Sequence, residues 1–551
     1  MTDEIPRLFA ARRGFSVSYK GTTLLSTMDP AALADRTAAA IPKLKGTLYF
    51  CPSPLFGYGL KLLLEEISPD SAILCVEADE KLMALSREKI DEPLRNNPRL
   101  RLVQTGDPAF LCAFVREAWG RRSFRRLEVL RLTGGWQLNP ELYDSLADTL
   151  RRDIAMDWGN AMTLVKLGRR YARNALRNLA LLPRASPLPA VNFGAAPVLV
   201  LGAGPSLDGV LKGLRAAFGD LPESAERPFR IICVDTGLSS LYEWKLRPDL
   251  VVALESQHWN LRDFIGLSSW EVPVAMDLSA LPATAEILGA HPHIFFTPWT
   301  KLSLFGRLKT AELLPETLPP LGSVGLSAVA IARRLSTGPV IVGGIDFSFS
   351  LDQSHTRSAP AHLERLRRQT RFRSLIDGGA AFRKGCFTVP SKTGESVRTN
   401  QTMKSYRDLF QREFAENRRI CDIAGPGLPL GLRTLTAEEA YTVLANGPVA
   451  GTARNAGESN AAAAAVVYPF VRGELESLTS LRGMLTGEIT AGAEQLERLL
   501  DTCDYLWAHF PDYAGAEGKH PVLSDLGFLK RVRAEIDPFI KLLQGVLKEL
   551  G

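Results

Sequence analysis

Several common kinds of site are missing from this sequence. Its seven cysteines are scattered, odd in number and never spaced Cys-x-x-Cys. That argues against a zinc site or a disulfide framework, and for a reducing cytoplasm as the protein's home. No Gly-x-x-x-x-Gly-Lys-Ser/Thr loop occurs, which excludes a P-loop ATPase. No Asp-x-Asp pair stands at the end of a predicted strand, where metal-dependent sugar transferases hold a diphosphate through Mg²⁺ or Mn²⁺. Apolar runs all stop short of a membrane span, and the opening Met-Thr-Asp-Glu-Ile-Pro lacks a signal pattern. No basic block is interleaved with aromatics, so no nucleic-acid footprint is expected. The charge excess is only +6, which fits either mild affinity for anions or simply a slightly basic protein.

What is present starts with size. At 551 residues, 46% hydrophobic and 23% charged, the chain has an ordinary globular composition spread over two to four domains. Its most telling stretch is Val198 to Leu201, a short apolar run suited to a buried parallel strand. Gly202, Ala203 and Gly204 follow, and Pro205-Ser206 reads as a helix start. Glycines there let the backbone turn sharply, and the first helical turn presents N–H groups to an anion such as a nucleotide phosphate. The alternative is a tight turn that needs glycine for geometry alone. Position 207 is Leu207, not the third glycine of a dinucleotide fingerprint, so NAD or FAD is disfavoured.

Residues 1–150 read as a small Rossmann-like domain with strands at 47–51 and 72–76. The second strand ends at Glu77, a type of residue that can bind ribose. The loop before it carries Pro52 and Pro54 where a binder would place glycines, so a degenerate domain is expected and a methyltransferase there is disfavoured. Residues 151–445 form an α/β core opened by a basic helical stretch, with strands at 197–201, 230–234, 250–254, 272–276, 293–297 and 339–342. Such alternation predicts a doubly wound parallel sheet with ligands beyond the carboxyl ends of the strands. Residues 446–465 have linker composition, and 466–551 carry the periodicity of an all-α bundle whose first helix opens at Ala461.

Polar residues gather at the predicted strand ends. Asp235-Thr236 and Glu255-Ser256 close two strands, where ligand binding and helix capping are both open readings. Gly343-Gly344-Ile345-Asp346 closes a third, and His355 follows in a polar loop with Arg357, a candidate substrate-binding residue. An imidazole there suits a general base; His258 is the alternative, while His291, His293, His362, His509 and His520 read as structural or surface residues. Arg365, Arg367, Arg368, Arg371 and Arg373 are expected on one helix, either as a solvated face or with one arginine reaching a phosphate or a sugar carboxylate.

Gly-Ala-Gly-Pro-Ser-Leu resembles the glycine-rich opening of the motility associated factor family, flagellin glycosyltransferases whose core is related to a pterin pyrophosphokinase and similar to bacterial CMP-sialic acid sialyltransferases. The resemblance extends to Asn174 and Asn178, Val234-Asp235-Thr236, the stretch from Arg247 to Val252, Gly322-Ser323-Val324, Gly344 to Phe347, and His355, covering roughly residues 160–435. Glu255 is a mild departure, since the family often has aspartate near that position. The resemblance implies a catalytic pair of His355 and Asp346. It implies a nucleotide site from Gly202 to Ser206 with Asp235, Thr236, Glu255, Ser256, Ser323 and Gly344, and pocket roles for Thr399 and Tyr406. It further implies transfer of a sialic-acid-like nonulosonic sugar, of the pseudaminic or legionaminic kind, from a CMP donor to Ser or Thr of flagellin, without a metal or a separate cofactor. Two competitors remain: an ATP- and Mg²⁺-dependent pterin pyrophosphokinase, and a non-catalytic flagellin-binding accessory factor.

Overall fold

The computed structural model describes residues 5–120, 122–221, 227–288, 292–376, 379–448, 461–490, 492–513 and 523–551. The chain forms two compact units, residues 1–166 with 509–517, and residues 167–508 with 518–551.

The first unit holds an antiparallel sheet of β1 (Arg7–Ala10), β2 (Phe15–Tyr19) and β3 (Thr22–Thr23). Beside it in sequence comes a parallel sheet of β4 (Thr47–Pro52), β5 (Ala72–Glu77), β6 (Leu100–Gln104) and β7 (Arg126–Val129), in the order β6-β5-β4-β7. Every residue of β4 and β5 is buried, because helices cover both faces of a parallel sheet and leave no side for water. Glu77 at the end of β5 is turned inward. Its carboxylate accepts Ser53 Oγ–H at 2.6 Å, Tyr143 O–H at 2.8 Å and Asp79 N–H at 3.0 Å. Those bonds use the acceptor atoms that a ribose would need.

The second unit is built on nine parallel strands. They are β8 (Ser186–Pro187), β9 (Val198–Leu201), β10 (Arg230–Val234), β11 (Leu250–Ala253), β12 (Val274–Asp277), β13 (Pro292–Phe295) and β14 (Val340–Gly343), then β17 (Ile420–Ile423) and β18 (Arg433–Leu435). The intervening hairpin of β15 (Cys386–Pro390) and β16 (Ser396–Asn400) stands apart. Across the sheet the order is β18-β17-β14-β9-β10-β11-β12-β13-β8. Side chains alternate, so Val198 and Val200 pack into one core while Leu199 and Leu201 pack into the opposite one. The doubly wound α/β reading holds.

One helix, Pro140–Asn178, runs through the boundary at 166/167. Of the expected linker, residues 449–460 lie outside the described residues. The helices Ala461–Thr486, Ala493–Thr502 and Leu526–Leu550 follow and belong to the same compact unit as the sheet. Buried Glu474 ties them to the helix Ser303–Thr310: Arg307 donates to both its oxygens at 2.7 and 2.9 Å, and Tyr505 O–H donates at 3.2 Å.

Candidate functional site

After β13 the chain crosses back and lays β14 against the far side of β9, so the strand order reverses between them. In open parallel sheets such a reversal leaves a ligand crevice beyond the carboxyl ends. Here the loops after β9 and β14 close on each other. Gly202 N–H donates to Gly343 O at 2.8 Å, and Gly204 N–H to Gly344 O at 2.7 Å. A Cβ on Gly202 would stand 2.4 Å from Gly344 O, and one on Gly204 would stand 2.4 Å from Asp346 Oδ2. Asp346 then accepts Ser206 N–H at 2.7 Å and Ser206 Oγ–H at 2.5 Å. A carboxylate of the chain itself thus sits at the start of the helix Leu207–Phe218, where the sequence suggested a phosphate. The glycines answer a close backbone approach, and four of the loop's amide and hydroxyl donors are already bonded.

On the other side of β9, the ends of the next two strands, β10 and β11, present a carboxylate group. Buried Asp235 accepts Thr236 N–H at 2.8 Å and Asn260 Nδ2–H at 3.2 Å. The 3-10 turn His258–Phe264 brings Asn260, Arg262 and Asp263 to this point. Thr236 Oγ1 lies 3.5 Å from Asp263 Oδ2. Burial pushes Asp235 up to about 6. Burial, then the charge of Asp235, pushes Asp263 up to about 7. Asp263 Oδ1, Ser256 Oγ and Gln353 Nε2 are buried yet have no hydrogen-bond partner among the described residues. Such atoms are candidates to meet a ligand. Glu255, half-buried, accepts Gln257 N–H at 2.8 Å. Asn174 Nδ2 donates to Ser256 O at 3.1 Å and Ser279 O at 3.0 Å, while Asn178 Nδ2 donates to Leu278 O at 2.8 Å and Ala280 O at 2.9 Å. These two asparagines fix the loops after β11 and β12.

His355 stands half-buried in the loop after β14, with Nδ1 3.1 Å from Ser354 Oγ. Burial and the nearby Arg262 charge hold its pKa below the ordinary imidazole value. The loop is pinned beside it: Thr356 N–H donates to Ala203 O at 2.9 Å, Arg357 N–H to Asp208 Oδ2 at 3.1 Å, and Thr356 Oγ1 lies 3.0 Å from Ser240 Oγ. The Arg357 side chain is exposed. Buried Thr399 donates to Phe347 O at 2.8 Å, holding Phe347 at φ +50°. Tyr406 packs 6.5 Å from the Phe347 ring, and Ser323 precedes the helix Val324–Leu335 without capping it through its side chain. Tyr171 is pushed up to about 12 by burial and then by Glu255, Asp277 and Tyr406, so these four groups share one neighbourhood.

His258 is exposed, and His293 and His362 are buried in regular elements. His509 packs on Phe510, while His291 and His520 lie outside the described residues. The arginine run departs from expectation. Its helix, Pro360–Arg367, stops short of Arg371 and Arg373, because Thr370 and Arg373 pair back in a turn at 3.0 and 3.1 Å. Arg365 is committed to the carbonyls of Asp352 and Leu375.

Asn260, Arg262 and Asp263 were not apparent in the sequence; a polar residue every second or third position after a strand end was the signal available. Also missed is Lys392, buried and 2.7 Å from Asp422 Oδ2. Burial pushes Asp422 up to about 6, with Lys392 opposing and Asp346 adding to the rise. Among the described residues, no group of three or more His, Cys, Asp or Glu side chains is arranged to hold a metal ion. No helix among them is long and apolar enough to cross a membrane.

Residues 170–352 match the family described as 6-hydroxymethylpterin diphosphokinase MptE-like. A protein of Treponema pallidum (strain Nichols), described only as uncharacterized, is 28% identical over 567 residues, spanning 99% of this chain and 96% of that protein. The Maf glycosyltransferase structure from Magnetospirillum magneticum AMB-1 superposes with a TM-score of 0.55 at 15% identity, covering 99% of this chain and 92% of its own. The chain thus joins an MptE-like segment to the fold of a Maf glycosyltransferase, in line with the motility associated factor resemblance of its strand-end motifs.

Proposed function

We propose that this chain is a glycosyltransferase that moves a nonulosonic sugar from a CMP donor to a Ser or Thr hydroxyl of flagellin. The observation that carries the reading is a half-buried imidazole, His355, kept neutral beside an arginine and a group of polar strand ends, in a fold shared with a glycosyltransferase. A neutral imidazole can accept a proton where an imidazolium cannot. If Nδ1–H donates to Ser354 Oγ, Nε2 is the basic atom. The acceptor oxygen bonds to the anomeric carbon, the carbon–oxygen bond to phosphate breaks, and its electron pair departs with CMP. His355 takes the acceptor proton. Because the glycine-loop donors are spent on Gly343, Gly344 and Asp346, the charge on the leaving phosphate falls to Arg262. Asp235, Thr236, Glu255 and Ser256 hold the nucleoside. A CMP donor carries one phosphate and needs no cation to bridge two.

The MptE-like match favours a second reading, transfer of diphosphate from ATP to a pterin. Thermal shifts with CMP, UMP, GMP, AMP and ATP, with and without Mg²⁺, separate the two. Stabilisation by CMP regardless of chelator is expected, and His355→Ala should keep that shift while lowering transfer 10²- to 10⁴-fold, to about the level general-base loss produces. Stabilisation by ATP only with Mg²⁺ would overturn the CMP reading.

A further inference from the structure

Large apolar side chains are exposed where the second unit presents its carboxyl-end loops. Phe372 is 84% exposed, Ile265 78% and Trp259 75%. Leu351 and Ile376 add to the same surface, both exposed. The segments carrying them are joined. Arg365 binds the carbonyls of Asp352 and Leu375, tying the loop after β14 to the turn at 370–376. Ile376 O accepts Gly379 N–H at 2.9 Å, and a Cβ on Gly379 would stand 3.4 Å from Leu351 O. Arg262, on the turn between Trp259 and Ile265, reaches Glu364 at 3.9 Å. Apolar patches of this kind on a folded unit mark interaction sites.

The charge on the patch is predominantly positive. Residues 362–384 contain six arginines and one lysine against Glu364 and Asp377. Arg371 lies over the Phe372 ring at 4.7 Å, while Glu364 is already paired with Arg368 at 2.5 Å. An acidic partner would therefore find uncompensated guanidinium groups beside apolar rings. The composition also separates two sources of negative charge. Protein interfaces enrich Trp, Phe and Arg and deplete Lys, whereas an anionic lipid surface attracts Lys and Arg alike and favours one amphipathic helix. Here arginine outnumbers lysine six to one, and the apolar residues come from a 3-10 turn, a loop and a tight turn.

We propose that this arginine-rich aromatic surface, centred on Phe372, Arg371 and Arg373, docks an acidic, apolar segment of the acceptor protein beside the transfer site. The proposal rests on the transferase reading for the identity of that acceptor. Docking there raises the local concentration of the acceptor hydroxyl at His355 without asking the catalytic groups to recognise the whole protein.

The test uses the full chain carrying Phe372→Asp with Arg371→Glu, both on an exposed turn, and a second variant, Arg373→Glu alone. Flagellin purified from the source organism is the probe, followed by calorimetry, with the CMP-induced thermal shift recorded in parallel. A tenfold or greater loss of flagellin affinity in the double variant, with the CMP shift intact, is the expected result. Unchanged flagellin affinity in both variants overturns the docking surface, as does an absence of binding by the wild type. Loss of binding to phosphatidylglycerol vesicles in place of flagellin assigns the patch to a membrane and also overturns it. A missing CMP shift alongside patch-dependent flagellin binding would sink the donor reading and leave the docking surface standing.

Discussion

Asp263 shows how a single residue can report on the site. Its carboxyl is buried, faces Asp235 and Glu255, and has only Arg262 and Thr236 to relieve it. With the folded value at about 7, above that of an unfolded chain, protonation favours the folded state. The stability it contributes is full below the unfolded value and is lost as pH rises through about 7, with each unit in that window removing up to about 1.4 kcal/mol. Asp263→Asn cannot ionise. It should therefore gain on the wild type in melting temperature between pH 5 and pH 8, and parallel melting profiles across that range would refute the assignment. Asp235, at about 6, makes the lower part of the wild-type slope steeper.

At the scale of elements, the strands that show plainly in the sequence are those whose two faces are both covered. Val198 to Leu201, Ile231 to Val234 and Leu250 to Ala253 are unbroken apolar runs for that reason. Strands β17 and β18 were hidden because Asp422 and Arg433 interrupt them, and β8 is only two residues long. Asp422 is tolerated in a strand only because Lys392, thirty positions earlier, folds onto it, and no local pattern reveals such a pairing. The same limit hid part of the site. Asp235, Glu255 and Asp346 follow apolar runs and were legible, whereas Asn260, Arg262 and Asp263 lie on a 3-10 turn with neither helical nor strand periodicity. Elements also explain how the C-terminal helices are held. Glu474 is buried against Arg307 and Tyr505, so Arg307→Ala leaves a carboxylate without its cation. A loss of about 3 kcal/mol is expected by chemical denaturation, and a neutral result would show that the pair contributes little.

The whole molecule divides into two compact units, each packed around its own parallel sheet, and a 39-residue helix contributes residues to both. Separate cores favour separate unfolding steps. Scanning calorimetry should therefore give a total enthalpy larger than the van't Hoff value, and equality of the two would show that the chain melts as one cooperative body. The clamp between Ser206 and Asp346 bears on how this protein meets its ligands. A helix start that already carries its own anion is occupied ground. Any phosphate seeking that position must either evict a carboxylate or settle alongside it against like charge. For the proposed transferase, recognition would thereby shift from the phosphate, which every nucleotide offers, to the nucleoside and the sugar, which few do. A fold that looks built to capture phosphate can in this way turn most phosphates away.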